Sequence, residues 1–330
     1  MKLYIRIAFS VGLLAVLFVL VDWREAFDNV RRVPFSTWIG VWAVFVLGHL
    51  VGAMKWRLNV NIGRAKLGKR DAVQCYSAGL FANICLPSIV GGDVLRAVLA
   101  GQATRRPEAA VFGGLSDRLI DMGSLCVLVI IGGFFVQPHV DGWFQYALGF
   151  GLVVGVAGAF LFLPLALRLK LTTWPKKLRR PMGRAMVATR RLWRRPSLAL
   201  TVFVMSIGIQ STFVLLNAWL GRSIGVEIPL AAWFLAWPLA KVAGLNPLGI
   251  GGFGWREGAL AGILAMNPMN VSQTDAVTVS LLWQSVLIVA GLGGGLLWIL
   301  LGSRKNALGG AGRGRLFPVN PSESESKHVA

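Results

Sequence analysis

Pro87-Ser88-Ile89-Val90-Gly91-Gly92-Asp93-Val94-Leu95-Arg96 and Pro247-Leu248-Gly249-Ile250-Gly251-Gly252-Phe253-Gly254-Trp255-Arg256 are two readings of one pattern, P-x3-G-G-x3-R, set 160 residues apart. An asparagine lies near each proline, Asn83 before the first and Asn246 beside the second. Paired glycine alone supplies the tight turn of any hairpin, and the chain holds 40 glycines. The proline and arginine matched at one spacing go beyond that. Proline and glycine both break helices. The apolar regions 73–104 and 229–267 that contain the two motifs therefore read as pairs of helical arms meeting at a broken tip.

Around these breaks the chain is membrane-like. Of 330 residues, 55% are hydrophobic and 15% charged, with a mean hydropathy of +0.64; a soluble domain carries roughly 25% charged residues. Soluble-enzyme and disordered classes are excluded, and an all-α polytopic membrane protein is expected. Full spans are predicted at about 4–21, 36–54, 115–137, 143–165, 197–221 and 274–302, each near the ~20 residues a bilayer requires. The apolar run after Lys2 and Arg6 ends at Val21-Asp22-Trp23 without a small-x-small cleavage site, so it reads as an uncleaved first span. Cys75, Cys85 and Cys126 form no CxxC, and His49, His139 and His328 are scattered. No disulfide framework, metal site or cofactor is expected.

The net charge of +20 is a matter of topology rather than of nucleic acid. Eleven Lys/Arg and no acid lie between Arg168 and Arg195, flanked by apolar runs. Such basic loops follow the positive-inside bias and suit anionic cytoplasmic headgroups. Leu171, Trp174, Leu178, Met182, Met186, Leu192 and Trp193 within loop 166–196 suggest interfacial amphipathic helices. Trp23, Trp38, Trp56, Trp143, Trp174, Trp193 and Trp219 fall near span ends as interfacial anchors. Counting Lys/Arg gives six in 55–72, none in 138–142, one in 222–228 and five in the tail from 303. Head, loop 55–72, loop 166–196 and tail are thus assigned to the cytoplasm. Region 73–104 must leave and re-enter the cytoplasm, and region 229–267 must leave and return outside. The arm Val94 to Ala103 is too short to span, which suits a re-entrant hairpin. Region 229–267 reads either as a second re-entrant hairpin or as two crossings.

Two spans, a hairpin from inside and one span are then followed by two spans, a hairpin from outside and one span. That is an inverted-topology repeat, about 1–138 and 142–303, within one membrane domain 1–303, with a disordered tail 304–330. Inverted repeats with broken helices are a signature of secondary transporters, with the substrate at the breaks. Candidate site residues follow from chemistry. Amides at Gly91, Gly92, Gly251 and Gly252, two helix N-termini and Arg96 and Arg256 suit a phosphate, unless each arginine snorkels to an interface. Asp93, Asp117, Asp121 and Glu257 are acids near the breaks, with Asp117 and Asp121 on one helical face beside Arg118. Asp117 and Arg118 could simply sit at an interface, and Glu257 could pair with Arg256 or Lys241. Lys241 could instead contact an anion, and Gln284 is a further polar candidate. Charged groups at bilayer depth default to function.

With Asn83-x3-Pro87-x3-Gly91-Gly92-Asp93-x2-Arg96, Ser116-Asp117-Arg118-x2-Asp121 and Pro247-x3-Gly251-Gly252-x3-Arg256-Glu257, the chain resembles the lysylphosphatidylglycerol synthase transmembrane-region family of bacteria and archaea. The resemblance covers roughly 1–303. It implies a flippase-like domain of the bacterial cytoplasmic membrane, with Asp93, Arg96, Asp117, Arg118, Arg256 and Glu257 as positions to test. Where the family often has Glu-Arg at the start of the third full span, this chain has Asp117-Arg118. Bifunctional members carry a separate aminoacyl-transfer domain; only 29 residues follow Leu301, so a stand-alone member is expected, with a separate lipid-modifying enzyme as a possible partner. The leading expectation is a non-enzymatic flippase or scramblase for a phospholipid or polyprenyl-linked lipid, with no GxxxxGK[ST] nucleotide motif. The alternatives are a membrane-embedded lipid-linked glycosyl or aminoacyl transferase, and a non-catalytic subunit of an envelope-lipid complex.

Overall fold

The computed structural model describes residues 21–85, 91–136, 195–244, 254–266 and 269–308. The predicted spans 4–21 and 143–165, nearly all of loop 166–196, both motif prolines, Asn246, Gly251, Gly252 and the tail beyond 308 lie outside the described residues. Those described form nine helices, without strands: α1 Trp23–Arg32, α2 Phe35–Ile62, α3 Lys69–Cys85, α4 Gly91–Thr104, α5 Pro107–Val136, α6 Pro196–Ser223, α7 Leu230–Ala243, α8 Trp255–Ala265 and α9 Gln273–Leu308. Four of these, α2, α5, α6 and α9, are long and apolar enough to cross a membrane. The chain is a multi-pass helical membrane protein.

Local chemistry sets the helix ends. In α1 the Asp22 carboxylate accepts from the Arg24 and Glu25 amides at 3.0 and 3.2 Å, with Glu25 in the first turn and Arg31 and Arg32 in the last, matching the helix dipole. This helix lies between the predicted spans 4–21 and 36–54, where no helix is expected. Pro196 opens α6 at a position where no amide is needed. Ser272 and Asp275 cap α9 reciprocally, the Asp275 amide donating to Ser272 Oγ at 3.0 Å and that hydroxyl to Asp275 Oδ2 at 2.8 Å.

Three corrections to the predicted boundaries concern the long helices, and the first is that α5 begins at Pro107, eight residues before the expected 115. α2 continues eight residues past the expected end at 54, to a stop at Gly63, so Lys55 and Arg57 are helical and not part of a loop. α9 runs to Leu308, into the stretch expected as tail. α2 extends because no proline or glycine follows Met54 until Gly63, whereas α9 runs through Gly302, a residue that weakens a helix without having to end it.

The order long, short, short, long occurs twice, as α2 to α5 and as α6 to α9. α2 and α6 are each 28 residues, offset by 161. Packing repeats with the order. α3 lies on α9 as α7 lies on α5; α4 packs on α5 as α8 packs on α9; α2 touches α5 and α3 as α6 touches α9 and α7; and α2 and α6 face each other. Close approach on the α5–α7 side requires Gly132, where a Cβ would meet the Leu235 amide and stand 2.6 Å from the Phe234 carbonyl carbon. On the α9–α3 side Gly294 does the same against Ser77 O at 2.9 Å. The core between the halves is aromatic, with Phe45, Phe213, Trp237 and Trp283 in edge and tilted contacts at 5.0–6.0 Å.

Candidate functional site

A cavity of about 300 Å³ lies where the two halves meet, lined by α2 to α7 and α9, with Arg256 of α8 at its edge. Its first wall is ionic. On α4, Asp93 and Arg96 are one turn apart and pair at 3.1 Å. Arg96 is 5% exposed, so it does not snorkel to an interface. Its Nη2 donates to Asp117 Oδ2 at 3.2 Å, and its guanidinium lies 5.2 Å from the ring centroids of both Trp56 and Tyr76. Asp117 and Asp121, four apart on α5, face the same way, as their spacing requires. Both receive Lys55 Nζ, at 3.1 Å for Asp117. Asn59 donates to Asp117 at 3.2 Å, Ser206 donates to Asp121, and Ser124 and Ser206 hydroxyls lie 3.0 Å apart. Arg118, on the neighbouring face of α5, reaches Asp93 Oδ2 at 2.6 Å.

Every carboxylate of this wall is thus engaged by at least one cation. A buried charge is tolerated only when paired and hydrogen-bonded, and the network extends across the halves through Ser206 of α6.

The second wall is sparser. Arg256 Nη2 donates to Glu257 Oε1 and Gln284 Oε1, both at 2.6 Å, and the guanidinium lies 5.9 Å from the Trp237 ring centroid. Glu257 Oε2 is taken by the Gly254 amide at 2.7 Å. Gly254 has φ +82°, a conformation that favours glycine, and turns the chain into α8. Lys241 donates to Gln210 at 2.7 Å and lies 5.6 Å from the Phe213 ring centroid. Glu257 therefore pairs with Arg256, while Lys241 is held by an amide oxygen.

Of the expected site residues, Asn83, Gly92, Asp93, Arg96, Asp117, Arg118, Asp121, Lys241 and Arg256 line this one cavity, and Glu257 stands behind Arg256. Asn83 has a structural contact there: its Oδ1 accepts from the Gly92 amide at 3.1 Å. Gly91 and Gly92 open α4, and a side chain at Gly92 would strike Gly79 O and Asn83. The Trp56 anchor is overturned. It is fully buried against Arg96 and not interfacial, because α2 runs past it.

Sequence reading missed Lys55, His49, Tyr76, Ser206, Gln210 and Trp237. Lys55 carried a readable signal: Leu58, Val60 and Ile62 continue the helix to the stop glycine Gly63. No sequence signal marked Ser206, and the motif's offset of 160 does not align the other four; the offset of α2 and α6 does. At an offset of 161, His49 matches Gln210 and Tyr76 matches Trp237, and each aromatic of the second pair stacks on the arginine of its own half. Among the described residues no group of His, Cys, Asp and Glu could hold a metal ion.

A polytopic helical membrane protein with a charged cavity between two similarly packed halves is the class these features define. Residues 3–295 match the family described as Lysylphosphatidylglycerol synthase TM region, and the chain belongs to that family. No curated protein and no solved structure matches it.

Proposed function

We propose that the protein is a lipid flippase or scramblase, a transporter rather than an enzyme, that moves a phosphate-containing lipid headgroup across the bacterial cytoplasmic membrane by alternating access. The observation that carries this reading is the charged cavity of about 300 Å³ buried among helices of membrane-spanning length. Intramembrane charges of this density mark a substrate or ion pathway, and membership of a family named for a lipid synthase's membrane region points to lipid. Aminoacyl- and glycolipids both fall within this class.

Alternating access needs two bodies that can rock about a fixed site. The matched packing of α2–α5 and α6–α9 supports an inverted repeat. Among the described residues the arms α3, α4, α7 and α8 have 17, 14, 14 and 11 residues, short of the ~20 that span a bilayer, which supports two re-entrant hairpins. Both termini are then cytoplasmic.

The test is translocation in proteoliposomes carrying headgroup-labelled phosphatidylglycerol, read as loss of label to an impermeant reductant. Accelerated exposure over protein-free vesicles is expected, with loss of most activity in Arg256→Ala. Rates equal to protein-free vesicles, with phosphatidylglycerol, aminoacylated and polyprenyl-linked lipids and with an imposed proton gradient, would reject the reading.

A further inference from the structure

The two arginines of the repeated motif stand in different electrostatic settings, and that difference bears on the cargo. On the first wall Lys55, Arg96 and Arg118 face Asp93, Asp117 and Asp121, three cations against three acids, all in mutual contact. That wall is neutral as built. On the second wall Lys241 and Arg256 face Glu257 alone. No Asp or Glu occurs in the sequence between Glu227 and Glu257. Among the described residues Lys241 has no carboxylate within ion-pair distance; its ammonium rests on the Gln210 amide oxygen and the Phe213 ring. The cavity's ionised groups therefore leave one positive charge, and it is located at Lys241 and Arg256.

We infer that this second wall, Lys241 with Arg256, Gln210 and Gln284, is an anion subsite for a phosphodiester, and that the cavity accepts a net-anionic headgroup in preference to a cationic, aminoacylated one. The inference rests on the lipid-carrier reading and narrows it. Lys241 supplies a point charge with two donors beyond its bond to Gln210, and Arg256 supplies a fork whose buried Nε has no hydrogen-bond partner among the described residues. Gln210 and Gln284 are neutral and can turn their amide N–H groups toward an arriving oxygen. Among the described residues no carboxylate of the cavity is left over to receive a second, cationic group: Asp93, Asp117 and Asp121 already hold cations, and Glu257 holds Arg256 and the Gly254 amide. An aminoacylated lipid would bring its ammonium into a site already positive.

The experiment is calorimetric titration of the purified full chain, in an uncharged detergent, with three probes: dihexanoyl phosphatidylglycerol, its lysyl ester, and inorganic phosphate. Phosphatidylglycerol is expected to bind at least about tenfold tighter than the lysyl ester, the worth of one charge-assisted hydrogen bond. Lys241→Gln weakens phosphatidylglycerol about tenfold by the same measure. Glu257→Gln tightens it about threefold, because the amide still accepts from Gly254 while Arg256 loses its carboxylate. A folding defect cannot move the two variants in opposite directions. Inorganic phosphate binding as tightly as the lipid, with the same response to both variants, would keep the anion subsite and reject the lipid-carrier reading. The lysyl ester binding tighter, or both variants binding like the parent, would overturn the inference. So would loss of binding confined to Arg96→Gln.

Discussion

Arg96 and Arg256 occupy the same place in a repeated motif, yet one is locked and the other is not. Arg96 bonds two aspartates and lies against two aromatic rings, with Lys55 and Arg118 completing a closed ionic net. Arg256 shares one glutamate with a backbone amide and otherwise leans on a glutamine and one ring. The comparison teaches that a duplicated motif can conserve geometry while dividing labour. One copy ties helices together, and the other, on the proposed reading, keeps charge in reserve for a ligand.

The two lysines test this division most severely. Lys55→Met leaves Asp117 with Arg96 and the Asn59 amide, and the Asp121 carboxylate with the Ser206 hydroxyl; breaking a buried ion pair from one side costs about 3–5 kcal/mol. A large drop in the unfolding midpoint of the detergent-solubilised protein is expected. Lys241→Met leaves only an amide oxygen without its donor, a cost of about 1–2 kcal/mol before the gain from not burying a charge. Near-parental stability with impaired anion binding is the expected outcome. Equal destabilisation by the two substitutions would mean that the second wall is as structural as the first.

The helix crossings differ by less. A methyl at Gly132 meets main chain of α7 at the Leu235 amide and at 2.6 Å from the Phe234 carbonyl carbon, whereas one at Gly294 meets Ser77 O at 2.9 Å and Leu80 Cβ at 3.4 Å. Both nearest atoms are backbone and cannot rotate away, but the main-chain contacts at Gly132 are closer and more numerous, so Gly132→Ala is expected to cost about 3 kcal/mol and Gly294→Ala about 1 kcal/mol, within the range for overpacking. Paired thermal melts in the same detergent decide it. Reversal of the order would show that α9 and α3 are the less forgiving contact.

How far the sequence foretells these contrasts depends on what each residue's neighbours are. The four long helices were legible because an apolar run long enough to cross a bilayer has few other uses, and their predicted ends fall close to the observed ones except at α2, α5 and α9. The short helices on either side of Pro87, Gly91 and Gly92 and of their copies were legible, while residues 86–90 and 245–253 lie outside the described residues. The neutralising of the first wall was not. Lys55 and Asp121 are 66 residues apart, and Ser206 and Asp121 85 apart. A lysine just past an apolar run looks like a cytoplasmic flank until the helix opposite is seen to carry two aspartates at that height. The idle charge of Lys241 was half visible, since no acid lies within the 29 residues between Glu227 and Glu257. Its amide partner, Gln210, was not.

The broken tips give the smallest effect and the most local one. At the first, Asn83 reaches across from α3 to hold the Gly92 amide at 3.1 Å; at the second, Glu257 holds the Gly254 amide at 2.7 Å from within its own helix. A tie between arms resists their separation, whereas a tie within one arm fixes only that arm's first turn. Asn83→Ala therefore removes a cap worth about 1 kcal/mol, and a buried donor at Gly92 loses its acceptor. Hydrogen exchange at the first amides of α4 should speed up by about fivefold, the factor that free energy implies, with the start of α8 unchanged. If the amides of α8 exchanged faster as well, the two tips would be coupled through the cavity, and the neutral wall would be part of the moving machinery rather than its frame.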